Sequence, residues 1–452
     1  MLTNNPAVHT PVWRRHGLLL LLALLYTNTF IGRQIMAVMI EPIKQEFDAS
    51  DTAMGLVSGL AFAGVYAFFG LGAGRLADRM KRTHVLAASA LIWSATTLLC
   101  GFATGFVVLV MARMLVAIGE SAVTPSSISM IADLYPANRR AFAISCFSTA
   151  PTLAVIIAMS LGAWVVEHYG WRTGFIVVAI PTSLIAAVIL MVKEPVRGTW
   201  DHPQETQQAS LSLVDTLKSL WHLRPYRYLI FAAGLSTLGA NAYGMWNATF
   251  LVRSHGLDLQ QAGILAGFVG GGTAALGMLF SGWMTDRLIS AHPRWQLLIP
   301  QFGHGMGIIA MTTYLLWPAD STMLLFGHQV PTAMIWCALN GFFAVWWVGP
   351  CFSMITRLVS PDSRAVAMAC QTVLVTLLGV GVGPLAVGAL SDLMAPMLGE
   401  ESLRYSLLIG GVSTALAMLC LNAVARAQRQ TQSLTECASQ DCELKRTGGH
   451  IV

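Results

Sequence analysis

The chain has 452 residues, of which 55% are hydrophobic and only 11% are charged. Soluble domains have about 25% charged residues, so this composition excludes an ordinary soluble protein and indicates a membrane protein. The formal net charge is +5, but the basic residues are dispersed along the chain and form no compact patch. No nucleic-acid partner is therefore indicated.

Apolar segments close to or above the length that crosses a bilayer, about 20 residues, recur along the whole chain. They predict an all-α membrane protein with twelve transmembrane helices. The predicted spans lie at about residues 16–42, 51–74, 83–103, 105–134, 140–167, 171–192, 227–252, 259–285, 294–317, 322–358, 364–394 and 402–425. The first span is too long for a signal peptide and lacks a small-residue cleavage site, so we expect it to be retained.

The distribution of basic residues predicts the orientation in the membrane. Of the 27 Lys and Arg residues, two, Arg33 and Arg113, lie inside apolar segments and four lie in the loops of one face. The remaining twenty-one lie in the ends and loops of the other face. Because Lys and Arg concentrate in cytoplasmic loops, both termini are predicted to be cytoplasmic.

The chain contains an internal repeat. The loop "GRLADRMKR" after the second span matches "GWMTDRL" after the eighth, and "MIADLYPANRRAFA" after the fourth matches "MITRLVSPDSRAVA" after the tenth. We therefore predict a six-helix bundle at 1–192, a cytoplasmic linker at 193–225, a second six-helix bundle at 226–426 and a disordered cytoplasmic tail at 427–452. Within the linker, "LSLVDTLKSLWHLR" places its apolar residues on one face of an amphipathic helix.

Two parallel six-helix halves around a midplane site, with a G-x-L-x-D-R loop after the second span, resemble the major facilitator superfamily. The stretches "GRQIMAVMIEPIKQEF", "GESAVTPSSISMIADLYP", "EPVRG" and "GVGPLAVGALSD" are similar to the Spinster branch, in a bacterial-type form. The resemblance implies proton-coupled, alternating-access transport of lysophospholipid or sphingolipid-like substrates, in a bacterial inner membrane. Spinster relatives commonly carry Asp before the first-span arginine, where this chain has Gly32.

Charged residues inside the spans are the strongest indication of a site. A charged side chain at the centre of a span costs about 2.5–3.5 kcal/mol, so it usually faces a cavity and finds a partner. Arg113 and Glu120 are seven residues apart and share a helix face. In the resembled fold the first and fourth spans line the central cavity, and Arg33 lies at a depth similar to that of Glu120, so we infer an Arg33–Glu120 pair. The alternative is that Glu120, with Arg33 or Arg113, only fastens helices together.

This pair also suggests how protons could be coupled to transport. Arginine stays protonated, whereas a glutamate can titrate, so an anionic substrate group that bound Arg33 would leave Glu120 free to accept a proton. Polar and aromatic residues nearby and in the second half complete the predicted substrate site, although each Asn or Trp could equally be a helix contact or an interface anchor. The predicted substrate-binding residues are Arg33, Arg113, Glu120, Tyr26, Thr29, Phe30, Thr124, Asn241, Asn247, Asn340 and Trp346.

The repeated Asp-Arg loops predict a latch that forms in one transport state and breaks in the other. Basic loop residues also set topology, but topology alone would not explain the repeated aspartates. The predicted gating residues are Gly74, Asp78, Arg79, Asp133, Arg139, Asp286 and Arg287.

We therefore predict a secondary transporter and not an enzyme, with a lipid-like substrate, protons and membrane lipids as partners. We expect a monomer. No cofactor or metal is expected, since the sequence has no phosphate-binding G-x-x-x-x-G-K-[ST] loop and its cysteines do not have the spacing of a metal site. The first alternative is an efflux antiporter or facilitator for another small organic anion. The second, from another class, is a lipid-binding receptor that transports nothing.

Overall fold

A computed structural model of the protein describes residues 11–197, 213–325, 327–359 and 363–447. Almost all of these residues are helical, and the described residues include one two-stranded hairpin. The apolar composition explains this architecture, because a helix satisfies its own backbone hydrogen bonds where lipid offers no partner. The predicted all-α membrane fold is confirmed.

The first half contains six spans, several of them interrupted by short breaks or π-helical turns. They are Val12–Gln34 and Met36–Phe47 (span 1); Asp51–Gly55, the π-helix Leu56–Leu60 and Ala61–Arg79 (span 2); Arg82–Gly101 (span 3); Phe106–Ser121 and Val123–Leu134 (span 4); Ala137–Ser148, Ala150–Ile157, the π-helix Ala158–Gly162 and the start of Ala163–Met191 (span 5); and the remainder of Ala163–Met191 (span 6). Spans 5 and 6 are separated at Gly170, where a φ of 81° breaks the helix and favours glycine.

The second half repeats this arrangement after a short linker helix, Leu213–His222. Its spans are Arg224–His255 (span 7); Leu259–Ile264, the π-helix Leu265–Gly271 and Gly272–Ile289 (span 8); Trp295–Leu316 (span 9); Met334–Ala344 and Val348–Leu358 (span 10); Arg364–Val375, the π-helix Thr376–Val382 and Gly383–Leu398 (span 11); and the 3₁₀ turn Gly399–Glu401, Ser402–Ser406 and Ile409–Thr447 (span 12).

Length and hydropathy alone identify nine membrane-crossing stretches among the described residues. One of them, Cys146–Met191, covers 46 residues and contains both span 5 and span 6. Spans 7 and 9 fall outside the nine, yet at 1.5 Å per residue they are about 48 and 33 Å long, enough to cross a bilayer of about 30 Å. Dividing Cys146–Met191 into spans 5 and 6 and adding spans 7 and 9 gives the twelve predicted spans.

The two halves meet through spans 2 and 11 on one side and spans 5 and 8 on the other, and each of these four spans contains a π-helix. Glycines make the contact close. A Cβ on Gly59 would lie 2.7 Å from the carbonyl oxygen of Gly381, and a Cβ on Gly263 would lie 2.1 Å from that of Met159. Any larger residue at these positions would push the halves apart.

The buried apolar core divides along the membrane normal. The largest cluster draws residues from both halves, for example Met39 in span 1 and Phe250 in span 7. Two further clusters lie at the end of the molecule that carries the termini, and each belongs to one half. Leu22 and Met130 lie in the first-half cluster, and Ile355 lies in the second-half cluster. The halves are therefore packed together at one end and form separate cores at the other.

Span 10 begins later than the sequence predicts. Instead of a helix from residue 322, Thr322–Leu325 and His328–Pro331 pair as antiparallel strands, and the helix begins at Met334. Gly327 lies in the turn with a φ of 83°. The prediction was wrong here because a short apolar run has no periodicity that separates a strand from a helix.

The tail that the sequence predicts to be disordered begins at residue 427, within the last helix of the structure. The helix that begins at Ile409 continues to Thr447. This stretch is rich in Gln, Glu, Ala and Leu, which are good helix formers, and the preceding membrane helix supplies the costly nucleus. Residues 448–452, and residues 198–212 of the predicted linker, lie outside the described part of the chain.

Candidate functional site

Arg33 and Glu120 meet between spans 1 and 4, each close to a break in its helix. Arg33 lies one residue before the end of Val12–Gln34, and Glu120 lies one residue before the end of Phe106–Ser121. The Arg33 Nη2 atom donates to Glu120 Oε1 at 2.5 Å, and the two side chains are 14% and 4% exposed. Arg33 Nε and Glu120 Oε2 have no hydrogen-bond partner among the described residues. The ion pair is thus single-pronged and keeps unused donor and acceptor atoms.

Aromatic rings surround the Arg33 guanidinium. Its Cζ lies 4.6 Å from the ring centre of Phe30, 4.7 Å from that of Phe62 and 5.4 Å from that of Tyr66. Each such contact stabilises a cation by about 0.5–2 kcal/mol, depending on exposure. The predicted residue Tyr26 continues this surface, stacking on Phe147 with ring centres 4.4 Å apart. The rings of span 2 were not predicted, because aromatic residues in an apolar span carry no signal that tells a cavity face from a lipid face.

Arg113 lies deeper in the first half than the pair. It is 1% exposed, its Nη1 donates to the Gly32 carbonyl at 3.3 Å, and its Nε and Nη2 have no hydrogen-bond partner in the described structure. Its Cζ lies 5.5 Å from the ring centre of Phe62. The predicted substrate-binding residue is therefore placed behind the aromatic surface and not on it.

The structure gives a reason for the glycine at position 32. A Cβ on Gly32 would lie 2.4 Å from Cζ2 of Trp93, a fully buried side chain of span 3. Gly119 of span 4 allows the same tryptophan to approach, since a Cβ there would lie 2.5 Å from the Trp93 backbone nitrogen. The indole thus fills the space into which an aspartate at position 32 would extend.

The two predicted threonines have different surroundings. Thr29 is fully buried, and its hydroxyl donates to the Tyr26 carbonyl at 3.0 Å, so it is already satisfied within span 1. Thr124 is half-buried and lies near the phenol groups of Tyr26 and Tyr66. Of these two predicted contacts, Thr124 is the one on the aromatic surface.

A cavity of about 340 Å³ opens between the halves, mainly within the second half. Asn247 and Asn340, two predicted substrate-binding residues, line it, and Gln34, next to Arg33, forms part of its wall. The rest of the wall is dominated by glycine and alanine and includes two methionines, Met159 and Met311. The lining residues are Gln34, Val155, Met159, Ser236, Gly239, Ala240, Tyr243, Gly244, Asn247, Ala266, Gly270, Gly271, Ala274, His304, Gly307, Ile308, Met311, Asn340, Gly341, Ala344, Val345 and Thr414.

The other two predicted residues of the second half lie elsewhere. Asn241 is half-buried and donates to the Thr237 carbonyl at 3.0 Å, within its own helix. Trp346 is 4% exposed and packs against a group of phenylalanines, including Phe280 and Phe343, with ring centres 5.5 and 4.9 Å away. Both contacts are those of helix packing, the alternative that the sequence left open.

The predicted latch residues lie near the end of the molecule that carries the termini. Arg79, Arg139, Asp286 and Arg287 are exposed, and the Arg287 guanidinium lies 5.7 Å from the Trp283 ring centre. Gly74 and Asp78 lie within the helix Ala61–Arg79, but their side chains are outside the described part of the structure. The latch therefore stays a prediction.

Asp133 has a partner that the sequence did not indicate. It accepts from Arg82 Nη1 at 2.5 Å, and Arg82 Nε also donates to Glu194 at 2.9 Å. Arg82 is 2% exposed, although its position at the start of span 3 suggested an ordinary loop cation. The sequence signal for this partner was Glu194 in "EPVRG", directly after span 6, because a carboxylate close to the membrane needs a cation nearby.

The opposite end of the molecule is closed by an ion-pair network that joins the halves. Asp51, at the start of span 2, binds Lys44 at 2.6 Å and Arg253, from span 7, at 2.9 and 3.0 Å. Arg253 also donates to Glu41 at 2.9 Å. Asp392 of span 11 accepts from the backbone N–H of Asp51 at 3.0 Å. Every one of these contacts involving Arg253 or Asp392 crosses from one half to the other.

Comparison with known proteins decides the family. The sequence pattern described as "Major Facilitator Superfamily" matches residues 19–319 of the chain. The chain belongs to the major facilitator superfamily. It is 30% identical over 413 residues to an MFS-type efflux pump of Mycolicibacterium smegmatis (strain ATCC 700084 / mc(2)155), covering 90% of this chain and 91% of that protein.

The resemblance to the Spinster branch is confirmed as well. Protein spinster homolog 1 of Xenopus tropicalis is 26% identical over 96% of this chain and 87% of its own length. A crystal structure of a bacterial homolog to the human lysosomal transporter Spinster, inward-facing and unoccupied, superimposes with a TM-score of 0.81. It is 25% identical, and the match covers 92% of this chain and 99% of that one. The chain is thus a multi-pass membrane transporter and not an enzyme.

Proposed function

We propose that this transporter moves an amphipathic, anionic, lipid-like substrate by alternating access, coupled to protons through Glu120 and Arg33. The observation that carries the proposal is the single-pronged Arg33–Glu120 pair at 2.5 Å, set among aromatic rings beside a cavity between the halves. A buried ion pair contributes little net stability, so its exchange for a substrate contact is energetically accessible.

The coupling step uses the two residues differently. An anionic head group that approaches Arg33 competes with Glu120 for the guanidinium, whose Nε has no partner among the described residues. Once Glu120 loses its counter-charge in a buried site, the neutral carboxylic acid becomes the favoured form and Glu120 takes up a proton. Substrate and proton binding are then linked through one shared partner.

The division of the site between the halves supports an amphipathic substrate. The first half holds the charges, whereas the cavity wall in the second half consists mostly of glycine and alanine with a few neutral polar groups. Among the curated relatives, a sphingosine-1-phosphate transporter of Danio rerio is 29% identical over 50% of this chain and 45% of that protein. An anionic head on Arg33 with an apolar portion in the cavity is consistent with both observations.

The structure also suggests the direction in which the site opens. The network around Asp51 closes one end, while the end with the termini has separate cores in the two halves. We place that end and both termini on the cytoplasmic side of a bacterial inner membrane, in agreement with the distribution of Lys and Arg. The protein is then in an inward-open state.

A second candidate function is efflux of another small organic anion. The relative that favours it is the mycobacterial efflux pump, which matches over nine-tenths of both chains. The same Arg33–Glu120 exchange would serve this function if proton entry drove substrate exit. The two candidates differ in substrate and in the direction of the coupled proton.

Uptake into vesicles containing the purified protein separates the candidates. Lysophosphatidic acid, lysophosphatidylethanolamine and a set of small organic anions would be offered at pH 6 and pH 8, with internal pH followed by a dye. Lysolipid movement accompanied by a proton flux supports the proposal. Movement of small anions alone favours the second candidate, and ligand binding without movement of any compound favours a receptor.

A further inference from the structure

The cavity in the second half has polar groups but no charge. Among its described lining residues there is no Asp, Glu, Lys or Arg. Its neutral polar residues include Ser236, His304, Asn247 and Asn340, on three different spans. A ligand group that enters this cavity therefore has only neutral hydrogen-bonding partners there.

His304 is held in a defined orientation by Ser236. The imidazole is 2% exposed, and its Nε2 lies 2.9 Å from the Ser236 Oγ. The Ser236 hydroxyl donates to the Ala232 carbonyl, at 2.8 Å, one turn earlier in span 7. A hydroxyl has one hydrogen to donate, so Ser236 acts as the acceptor toward His304.

This arrangement fixes the tautomer of His304. If Ser236 accepts, the proton of the neutral imidazole is on Nε2, and Nδ1 has a free lone pair. Two other polar groups of the cavity are already paired, since Asn247 Oδ1 accepts from the Tyr314 hydroxyl at 2.7 Å and the Tyr243 hydroxyl contacts Cys337 Sγ at 3.1 Å. Nδ1 of His304 is therefore an acceptor that remains for a ligand.

We propose that His304 recognises a hydroxyl group of the transported anion through its Nδ1 atom. A hydroxyl fits better than an ammonium, because a buried cation needs a carboxylate that the described cavity wall does not supply. The inference deepens the proposed transport function: the substrate would carry an anionic group for Arg33 and, separately, a hydroxyl for His304. It narrows the substrate class to hydroxylated anions.

Two matched ligand pairs test this inference with full-length protein in detergent. Lysophosphatidic acid is compared with its 2-deoxy analogue, and lactate is compared with propionate, so that each pair differs by one hydroxyl. In the wild type we expect the deoxy compound of a binding pair to bind about fivefold to tenfold more weakly, the value of one hydrogen bond. In His304→Leu this ratio of affinities should fall to about one. A ratio caused only by the different size or polarity of the two ligands would be the same in His304→Leu as in the wild type.

Three further variants separate recognition from folding. His304→Asn retains a hydrogen-bond acceptor, so part of the difference in affinity between the paired ligands should remain. Ser236→Ala removes the acceptor that keeps the proton on Nε2, so this difference should become smaller while binding is retained. His222→Leu alters an exposed histidine of the linker helix and should leave the ratio unchanged. A wild-type ratio of one, or a ratio that His304→Leu leaves intact, would overturn the inference.

Nitrogen NMR of histidine-labelled protein gives a readout that needs no substrate. The His304 signal, assigned by its loss in His304→Asn, should show a protonated Nε2 and a bare Nδ1, and Ser236→Ala should shift it. A protonated Nδ1 would overturn the inference whatever the ligand. If lactate binds and lysolipids do not, only the lipid part of the proposed function fails. If neither pair binds, the proposed function fails and the inference that rests on it fails too, whereas a protonated Nδ1 overturns the inference alone.

Discussion

Arg33 is held by one hydrogen bond to Glu120 and by the faces of three rings. The rings stabilise a cation at this position whether or not Glu120 is ionised, so the guanidinium remains in place when the carboxyl group of Glu120 is protonated. A planar guanidinium can also bind a phosphate or carboxylate through two donors, which an ammonium cannot.

These contacts predict the effects of replacing Arg33. Arg33→Ala should weaken substrate binding about tenfold to a hundredfold at every pH, the value of a hydrogen bond to a charged group. Arg33→Lys should restore part of the loss. Binding measured by titration at pH 6 and pH 8 checks this, and wild-type affinity in Arg33→Ala would remove the residue from the substrate site.

The close contact between Gly32 and Trp93 predicts that an aspartate cannot be restored at position 32. Gly32→Asp should destabilise the protein by about 1–3 kcal/mol, the usual cost of overpacking. Trp93→Phe, which lacks the Cζ2 and Cη2 atoms nearest to Gly32, should recover part of the loss in the double variant. Thermal unfolding in detergent measures this, and a Gly32→Asp variant as stable as the wild type would contradict the packing argument.

The sequence predicts charged residues in this site better than apolar ones. Arg33 and Glu120 could be paired in advance, because a charge in an apolar span needs a partner. Phe62, Tyr66 and Trp93 could not be assigned, since an aromatic residue in an apolar span is equally at home against lipid, core or cavity. The tertiary fold alone brings them to Arg33.

At the scale of the helix, the four π-helical segments mark the contact between the halves. In spans 2, 5, 8 and 11 they occur at the level where glycines allow backbone-to-backbone approach. A π-helical turn widens the helix and is common at functional positions. The halves can therefore pack closely here and still move against each other, because few long side chains interlock.

The close contact between spans 5 and 8 predicts that a larger side chain at Gly263 will change the populations of the transport states. Gly263→Leu would place side-chain atoms on the Met159 carbonyl and on Ala163, so it should disfavour the state in which spans 5 and 8 are in contact and slow transport several-fold. Gly272→Leu, in the same span with open space around its Cα, is the matched control. Distances between spin labels on the two halves report the balance, and identical distributions in both variants would refute the role of Gly263.

The positions of helices were predictable from apolar runs, whereas the local exceptions were not. The hairpin Thr322–Leu325 and His328–Pro331 replaces the predicted start of span 10, and the last helix continues to Thr447, past the predicted start of the tail. In each, neighbouring structure determines the outcome: a glycine turn pairs two short strands, and a membrane helix nucleates a polar segment that would be marginal alone.

At the scale of the whole molecule, the network around Asp51 holds one face closed. Arg253→Ala removes the cation of the second half that binds Asp51 and Glu41 of the first half. We expect the closed face to open more often, so a cysteine introduced at Ala240 in the cavity should react severalfold faster with an impermeant maleimide added from that face. Arg172→Ala, which breaks the exposed Arg172–Glu46 pair within the first half, is the control. Equal labelling rates in both variants would show that the network does not hold the face closed.

The central claim is that Glu120 is the group whose protonation is coupled to transport. The measurement that tests it most directly is the pH dependence of substrate transport by Glu120→Gln in vesicles, compared with the wild type. Glutamine mimics the protonated carboxylic acid, so the variant should still bind substrate while its transport rate no longer varies with pH between 5 and 8. A Glu120→Gln protein that transports with the wild-type pH profile would contradict the account and reduce the Arg33–Glu120 pair to a fastener between two helices.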